Sequence, residues 1–220
     1  MDPFDKPSVI VFSHAGFLDV YLSFVHLEKS FYNIGKKELF NIPILGSVLR
    51  STKGIEINRS SIKDAIGSLK AAEDKIKEGN SLMIAPEGKR RRKRSIDKES
   101  NLLEFKKGPF HIAKNTKTRI LPIVYTGVSR ANPGGSVIFK KANVYGRLCK
   151  PIEVDTVEKM TVDELADYTC KYMCESTILK KDEEIFRPHR NNLLWVIGYC
   201  IYLTSCCWCF VRLFGFLFNR

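Results

Sequence analysis

The sequence lacks the marks of several classes of protein. Its 220 residues contain no internal repeat and no long low-complexity linker, which favours one domain with a sizeable core. Acidic residues are few beside basic ones, with 24 Asp and Glu against 36 Lys and Arg. The resulting net charge of +12 predicts a partner that carries negative charge, whether phosphates, an anionic lipid surface or a nucleic acid.

The sequence also lacks a disulfide framework and a metal-binding pattern. Its seven cysteines are odd in number and irregularly spaced, and four of them lie in one apolar stretch. This usage favours a reducing compartment. Cys170 and Cys174 are one helical turn apart but have no second pair of ligands, so no metal is expected.

The two ends of the chain differ in hydropathy. No secretory signal is expected at the beginning, because Asp2, Pro3 and Asp5 interrupt any apolar run. Residues 193–211, "LLWVIGYCIYLTSCCWCFV", carry no charge and come close to the ~20 residues that a membrane-spanning helix needs. A buried core helix is the alternative. We therefore predict two parts, a catalytic domain at 1–188 and an apolar, membrane-associated segment at 189–220.

Strand and helix patterns alternate between these ends. Continuous apolar runs predict buried strands, and runs with helical spacing predict helices. In the clearest helix, Ile62, Ile66, Leu69 and Ile76 share one face, while Ser61 and Asp64 form a capping pair and Gly79 ends the helix. The predicted strands are "SVIVF", "SLMIA", "ILPIVYTGV" and "SVIFKKANVYG"; the predicted helices are "LDVYLSFVHLEK", "SSIKDAIGSLKAAEDKIKEG" and "TVDELADYTCKYMCES". This alternation predicts an α/β sandwich whose site lies at the carboxyl ends of the strands.

The stretch "SHAGFLD" follows the first predicted strand and carries the strongest chemical signal. A histidine at a strand end acts as a general base near neutral pH when a carboxylate orients it, and Asp19 is the nearest candidate to His14. Gly16 leaves the turn open, and the turn is expected to offer free N–H groups to a developing oxyanion. The alternative is that His14 and Asp19 have unrelated structural roles.

A second signal is "APEGKRRRKR", in which six consecutive cationic residues follow Pro86, Glu87 and Gly88. A nucleic-acid or importin-binding protein is one interpretation of such a run. No aromatic residues suited to base stacking surround it, and the apolar C-terminal segment does not suit a nuclear protein. A basic run alone is usually a solvated loop, and no nucleic-acid partner is expected.

Five stretches taken together identify a family. "HAGFLD", "GIEINRS", "APEGKR", "FKKGPFHIAK" and "ILPIVYTG" resemble, in order and spacing, the glycerolipid acyltransferases, and specifically the 1-acyl-glycerol-3-phosphate acyltransferases. The resemblance runs from about Val9 to Gly127. The sequence departs from the family pattern at Ser13, where the family usually has Asn, and at Lys89, where it has Thr.

The resemblance implies an α/β fold with a central, mostly parallel sheet flanked by helices. It places the catalytic pair at His14 and Asp19. It further places Gly54 in the family's second block and Pro122 in its fourth, and it implies substrate-binding residues at Arg59, Glu87, Gly88 and Arg90.

The activity implied is transfer of a fatty acyl group from acyl-CoA, a co-substrate, to the free hydroxyl of a lysophospholipid. The expected acceptor is lysophosphatidic acid, and no cofactor or metal is expected. Glycerol-3-phosphate or another lysophospholipid is the alternative acceptor, and a catalytically dead membrane adaptor is the alternative from another class. The expected location is a membrane, that of the endoplasmic reticulum in a eukaryote, with the catalytic domain facing the cytosol.

Overall fold

The structure is a computed structural model, and part of the chain is described by it. All statements below concern these residues: 4–16, 19, 22–23, 31–41, 46, 49–50, 53–58, 61–89, 102–131 and 140–178.

Within this part of the chain, six strands form one sheet in the order β3-β2-β4-β1-β5-β6. The first five in that order are parallel to their neighbours, and β6 runs antiparallel to β5. In the centre of the sheet, Val9 of β1 is paired with Leu82 of β4 on one side and Ile120 of β5 on the other. The strands are β1 (Val9–Phe12), β2 (Phe31–Lys36), β3 (Gly54–Ile57), β4 (Ser81–Ile84), β5 (Ile120–Thr126) and β6 (Tyr145–Leu148).

Hydrophobic cores lie on both faces of this sheet. Successive side chains of a strand point to opposite faces, so Val9 and Val11 enter one core while Ile10 and Phe12 enter the other. The first core packs against buried residues of α2, α3, α5 and α6. The helices are α1 (Lys37–Phe40), α2 (Ile62–Lys77), α3 (Gly108–Asn115), α4 (Val128–Ala131), α5 (Val154–Lys159) and α6 (Val162–Ile178). The predicted α/β fold with a mostly parallel sheet flanked by helices is thus confirmed.

Helix α2 begins and ends as its sequence predicts, but its buried face differs. The Ser61 hydroxyl accepts a hydrogen bond from the Asp64 N–H at 3.1 Å, and Gly79 beyond the helix has φ +88°. Ile66 is 61% exposed, so its assignment to the buried face is wrong. Ile76 is buried in the core as predicted and Leu69 is partly buried against it, while Ala72, which was not predicted, is buried as well.

Three elements differ from the prediction. Strand β2 and helix α1 were not predicted, since "FYNIGKKELF" mixes polar residues and a glycine with its apolar positions. Of the strand predicted over residues 136–146, the described part begins at residue 140; residues 140–144 are irregular, and β6 begins at Tyr145. A Cβ atom on Gly127 would lie 2.0 Å from the Asn143 carbonyl oxygen, which shows that this segment crosses the chain after β5 at close range.

In the described part of the chain, no helix has both the length and the apolar character needed to cross a membrane. The predicted apolar segment at 189–220 and the domain boundary at 188 lie outside the described residues, and both stay predictions.

Candidate active site

The candidate site forms at the carboxyl ends of β1 and β4, which are neighbours in the middle of the sheet. Ser13 extends the pairing of β1 by one residue, since its N–H donates to the Ile123 carbonyl at 3.1 Å. Its hydroxyl accepts a hydrogen bond from the Tyr125 N–H at 2.8 Å and is buried. His14 is therefore the first residue to leave the sheet, and Ser13 is held inside it.

His14 and Asp19 meet as their spacing predicts. Nδ1 of His14 lies 3.0 Å from Oδ2 of Asp19. The histidine side chain is 19% exposed, whereas Asp19 is completely buried. Asp19 has helical backbone, so the turn between strand and helix brings the carboxylate back to the strand end.

Oδ2 of Asp19 also accepts hydrogen bonds from the backbone N–H groups of Ala15 at 2.6 Å and Gly16 at 2.8 Å. Three donors thus fix the position of one carboxylate oxygen. Because a carboxylate oxygen accepts but does not donate, Nδ1 carries the proton in the neutral ring, and Nε2 then has the free lone pair. This is the tautomer that a general base requires.

Glu87 holds the same strand end from the neighbouring strand. Its Oε1 accepts the N–H of His14 at 2.8 Å, and its Oε2 accepts the N–H of Leu103 at 3.1 Å. The carboxylate is buried. It therefore ties the backbone of His14 to the segment that follows the basic run, a contact that the sequence did not predict.

The turn after β4 brings Glu87 into this position. The Gly88 N–H donates to the Ala85 carbonyl at 3.1 Å, and Gly88 has φ +67°, a conformation that glycine adopts without strain. The Pro86 carbonyl accepts the Lys106 N–H at 2.8 Å. The residues before the basic run, Pro86 and Glu87, and those after it, Leu103 and Lys106, are therefore hydrogen-bonded to each other close to His14.

These contacts correct the expectation of free N–H groups in "SHAGFLD". The N–H of His14 is engaged by Glu87, and those of Ala15 and Gly16 are engaged by Asp19. None of the three is available to stabilise an oxyanion. They bind the carboxylates of Asp19 and Glu87 instead.

A buried chain of hydroxyl groups lies behind the pair. The Ser23 hydroxyl donates to the Asp19 carbonyl at 2.8 Å and lies 2.9 Å from the Tyr125 hydroxyl. Sequence reasoning missed both residues. The available signal was a tyrosine inside the apolar run "ILPIVYTG", because a buried tyrosine hydroxyl usually has a hydrogen-bond partner.

The remaining predicted residues fall into two groups. Gly54 begins β3, where a Cβ atom would lie 2.4 Å from the Leu49 carbonyl oxygen, and Pro122 is buried within β5. Arg59 and Arg90 lie outside the described residues. The structure thus brings together His14, Asp19, Glu87 and the turn at Gly88.

A histidine oriented by a buried carboxylate at the carboxyl ends of parallel strands is an arrangement that can act as a general base, as in group-transfer and hydrolytic enzymes. The sequence model described as Acyltransferase matches residues 3–126, more than half of the chain. The chain therefore belongs to the acyltransferase family.

Curated relatives carry a more specific name, 1-acyl-sn-glycerol-3-phosphate acyltransferase. The chloroplastic LPAT1 of Arabidopsis thaliana is 34% identical over 149 residues, which are 67% of this chain and 40% of the relative. The Saccharomyces cerevisiae enzyme is 29% identical over 74% of this chain and 52% of the relative. The Haemophilus influenzae enzyme is 32% identical over 70% of this chain and 60% of the relative. The chain thus spans about half the length of these relatives.

A solved structure has the same fold. The 1-acyl-sn-glycerophosphate acyltransferase PlsC from Thermotoga maritima matches with a TM-score of 0.65 and 24% identity. The match covers 81% of this chain and 69% of that chain. It supports the architecture of a mostly parallel sheet flanked by helices.

Proposed function

We propose that this chain transfers a fatty acyl group from an acyl thioester to the free hydroxyl of 1-acyl-glycerol-3-phosphate, giving phosphatidic acid. The observation that carries the proposal is the contact between Nδ1 of His14 and the buried Oδ2 of Asp19, in a chain of the acyltransferase family. The names of the relatives support this acceptor.

In the proposed mechanism, Nε2 of His14 takes the proton of the acceptor hydroxyl as its oxygen attacks the thioester carbonyl carbon. The new C–O ester bond forms, the C–S bond breaks, and the imidazolium returns the proton to the thiolate. Asp19 keeps the ring in the required tautomer and stabilises the imidazolium. Because the N–H groups of residues 14–16 are engaged, other donors stabilise the oxyanion.

Direct transfer, without an acyl-enzyme, fits the position of Ser13. Its side chain is buried, and its hydroxyl accepts a hydrogen bond from the Tyr125 N–H at 2.8 Å. Successive side chains of a strand point to opposite faces, so Ser13 does not face the same space as His14. The acceptor hydroxyl is therefore the nucleophile in this proposal.

Arg59 and Arg90 are proposed to bind the acceptor phosphate. A guanidinium group makes two parallel, charge-assisted hydrogen bonds to a phosphate, which an ammonium group cannot do. Support comes from the family pattern and from the position of Gly88, which directly precedes the basic run and follows Glu87. The donor is proposed to be acyl-CoA.

The test is an acyl-transfer assay on the full chain with acyl-CoA or acyl carrier protein as donor. Acceptors are lysophosphatidic acid, glycerol-3-phosphate and a lysophospholipid with another headgroup. We expect His14→Ala to lower turnover by about 100- to 10,000-fold, the usual loss when a general base is removed. His111→Ala is the matched control, because His111 is exposed on α3.

In the same assay, Arg59→Ala and Arg90→Ala are expected to raise the acceptor KM more than the donor KM. Arg92→Ala, farther along the basic run, is the control for loss of charge alone. The proposal is wrong if folded His14→Ala keeps wild-type turnover, or if the wild type acylates none of the three acceptors.

A further inference from the structure

We infer that Tyr125 is a positioning residue for the His14–Asp19 pair. Its hydroxyl supports the turn that carries Asp19, and its backbone holds Ser13, the residue before His14. This inference rests on the proposed function. Tyr125 lies in β5, more than a hundred residues from the pair along the chain, and its side chain is buried against the turn.

The hydroxyl contacts have a forced direction. The Asp19 carbonyl is only an acceptor, so the hydroxyl of Ser23, 2.8 Å away, donates its single proton there. The contact of 2.9 Å between the two hydroxyls then requires Tyr125 to donate and Ser23 to accept. Tyr125 therefore fixes the helical turn that carries Asp19, through one intermediate side chain.

The backbone of Tyr125 holds the other end of the pair. Its N–H donates to the Ser13 hydroxyl at 2.8 Å, and that hydroxyl donates back to the Tyr125 carbonyl at 3.4 Å. Ser13 directly precedes His14. One residue of β5 thus sets the positions of the histidine and the carboxylate relative to each other.

The electrostatic environment keeps the phenol protonated. Burial raises the pKa of the Tyr125 hydroxyl well above its ordinary value; the hydrogen bond with Ser23 opposes this increase, and the negative charge of Asp19 adds a smaller increase. The hydroxyl is therefore protonated near neutral pH and can donate this hydrogen bond.

Loss of this hydroxyl is expected to affect the chemical step rather than binding. A misplacement of about 1 Å in a catalytic group costs up to ~100-fold in rate. In Tyr125→Phe the ring remains, but Ser23 loses its donor and the Asp19 turn is no longer tied to β5. We expect kcat to fall about 10-fold or more while both KM values stay within about twofold.

The experiment compares Tyr125→Phe with Tyr172→Phe in the full chain. Tyr172 is a matched control, because its hydroxyl also takes part in a structural hydrogen bond, which it accepts from the Lys150 N–H at 3.1 Å. Tyr172 does not contact the pair. Steady-state kinetics on lysophosphatidic acid gives kcat and both KM values. NMR of histidine-labelled protein follows the Nδ1 proton of His14, assigned by its absence in His14→Ala.

The inference is supported if Tyr125→Phe loses kcat with KM kept, and if the Nδ1 proton moves upfield or is lost to exchange, while Tyr172→Phe changes neither. It is overturned if a folded Tyr125→Phe matches Tyr172→Phe in both measurements. Ser23→Ala breaks the same link and must reproduce the result. Where no variant and no wild type transfers acyl groups, the proposed function fails, and the NMR signal still decides the positioning role.

Discussion

Two buried carboxylates take up the backbone N–H groups where β1 ends. A buried N–H without a partner is costly, and a buried carboxylate without donors is costlier still. Glu87 satisfies both requirements, because its two oxygens accept the N–H groups of His14 and Leu103. Oδ2 of Asp19 likewise accepts the N–H groups of Ala15 and Gly16, whereas its buried Oδ1 has no hydrogen-bond partner among the described residues. The sequence predicted that Glu87 binds the substrate, and that role stays a prediction. The contacts that the structure gives for Glu87 are with backbone N–H groups.

Replacing Glu87 by Gln tests which role dominates. One carboxylate oxygen becomes an NH₂ group. This group and the backbone N–H that it faces are both hydrogen-bond donors, so neither has an acceptor. An unsatisfied buried group of this kind costs about 1–3 kcal/mol. We expect Glu87→Gln to lower the free energy of unfolding, measured with denaturant, by about this amount, and to lower kcat with little change in acceptor KM.

The control for this change is Glu78→Gln, which removes an exposed ion pair with Lys75 at 2.8 Å. Exposed pairs contribute about 0–1 kcal/mol, so this variant should be close to wild type. A raised acceptor KM in Glu87→Gln, with unchanged stability, would contradict the positioning role and favour direct contact with the substrate.

At the scale of elements, α3 and α5 are joined by one lysine. The ammonium group of Lys114 on α3 donates to the carbonyls of Val157 at 3.1 Å and Glu158 at 3.3 Å, and also to the carbonyl of Met160. These carbonyls lie at or beyond the last residues of α5, which have no partners within that helix. A positive charge at this end also suits the helix dipole.

We expect Lys114→Met to destabilise the protein by about 1–3 kcal/mol, because charge-assisted bonds to several carbonyls are lost while the apolar stem remains. The loss should be accompanied by faster amide hydrogen exchange in α5, measured by mass spectrometry.

Lys117→Met is the control at this interface. Its ammonium lies 3.1 Å from the Glu158 carboxylate, but its side chain is 75% exposed. Its replacement should therefore cost less than about 1 kcal/mol. Equal effects of the two variants on stability and exchange would show that charge near α5, rather than the bonds to its carbonyls, is what matters.

For the whole molecule, the net charge of +12 and the apolar run at residues 193–211 together predict two modes of membrane attachment. An apolar helix inserts irrespective of salt, whereas basic residues attract an anionic surface over a Debye length of ~8 Å at physiological salt. The two modes therefore differ in their response to ionic strength.

We expect deletion of residues 193–220 to move the protein from the membrane pellet to a fraction that high salt extracts. Sedimentation of membranes at low and high salt measures the change. The control is the truncated chain with Arg92, Lys93 and Arg94 replaced by Ala, which should lose its remaining binding to anionic vesicles. Extraction of the full chain by high salt alone would contradict an apolar anchor.

The sequence by itself determined the local features. The apolar run at Val9–Phe12 predicts a buried strand, and Ser61 with Asp64 predicts the beginning of α2. His14 and Asp19 are five residues apart across a turn from strand to helix, so a local change of direction is enough to bring them into contact. Features of this kind depend on neighbours in the chain, which the sequence displays directly.

Only the tertiary structure decided which distant residues meet. Glu87 contacts His14 because β4 lies next to β1, and Tyr125 contacts Ser23 and Ser13 because β5 lies on the other side. The order of strands in a sheet follows from the packing of both faces, to which all elements contribute. The pattern of one segment does not contain that information, and for this reason the support behind the pair was not predictable from sequence.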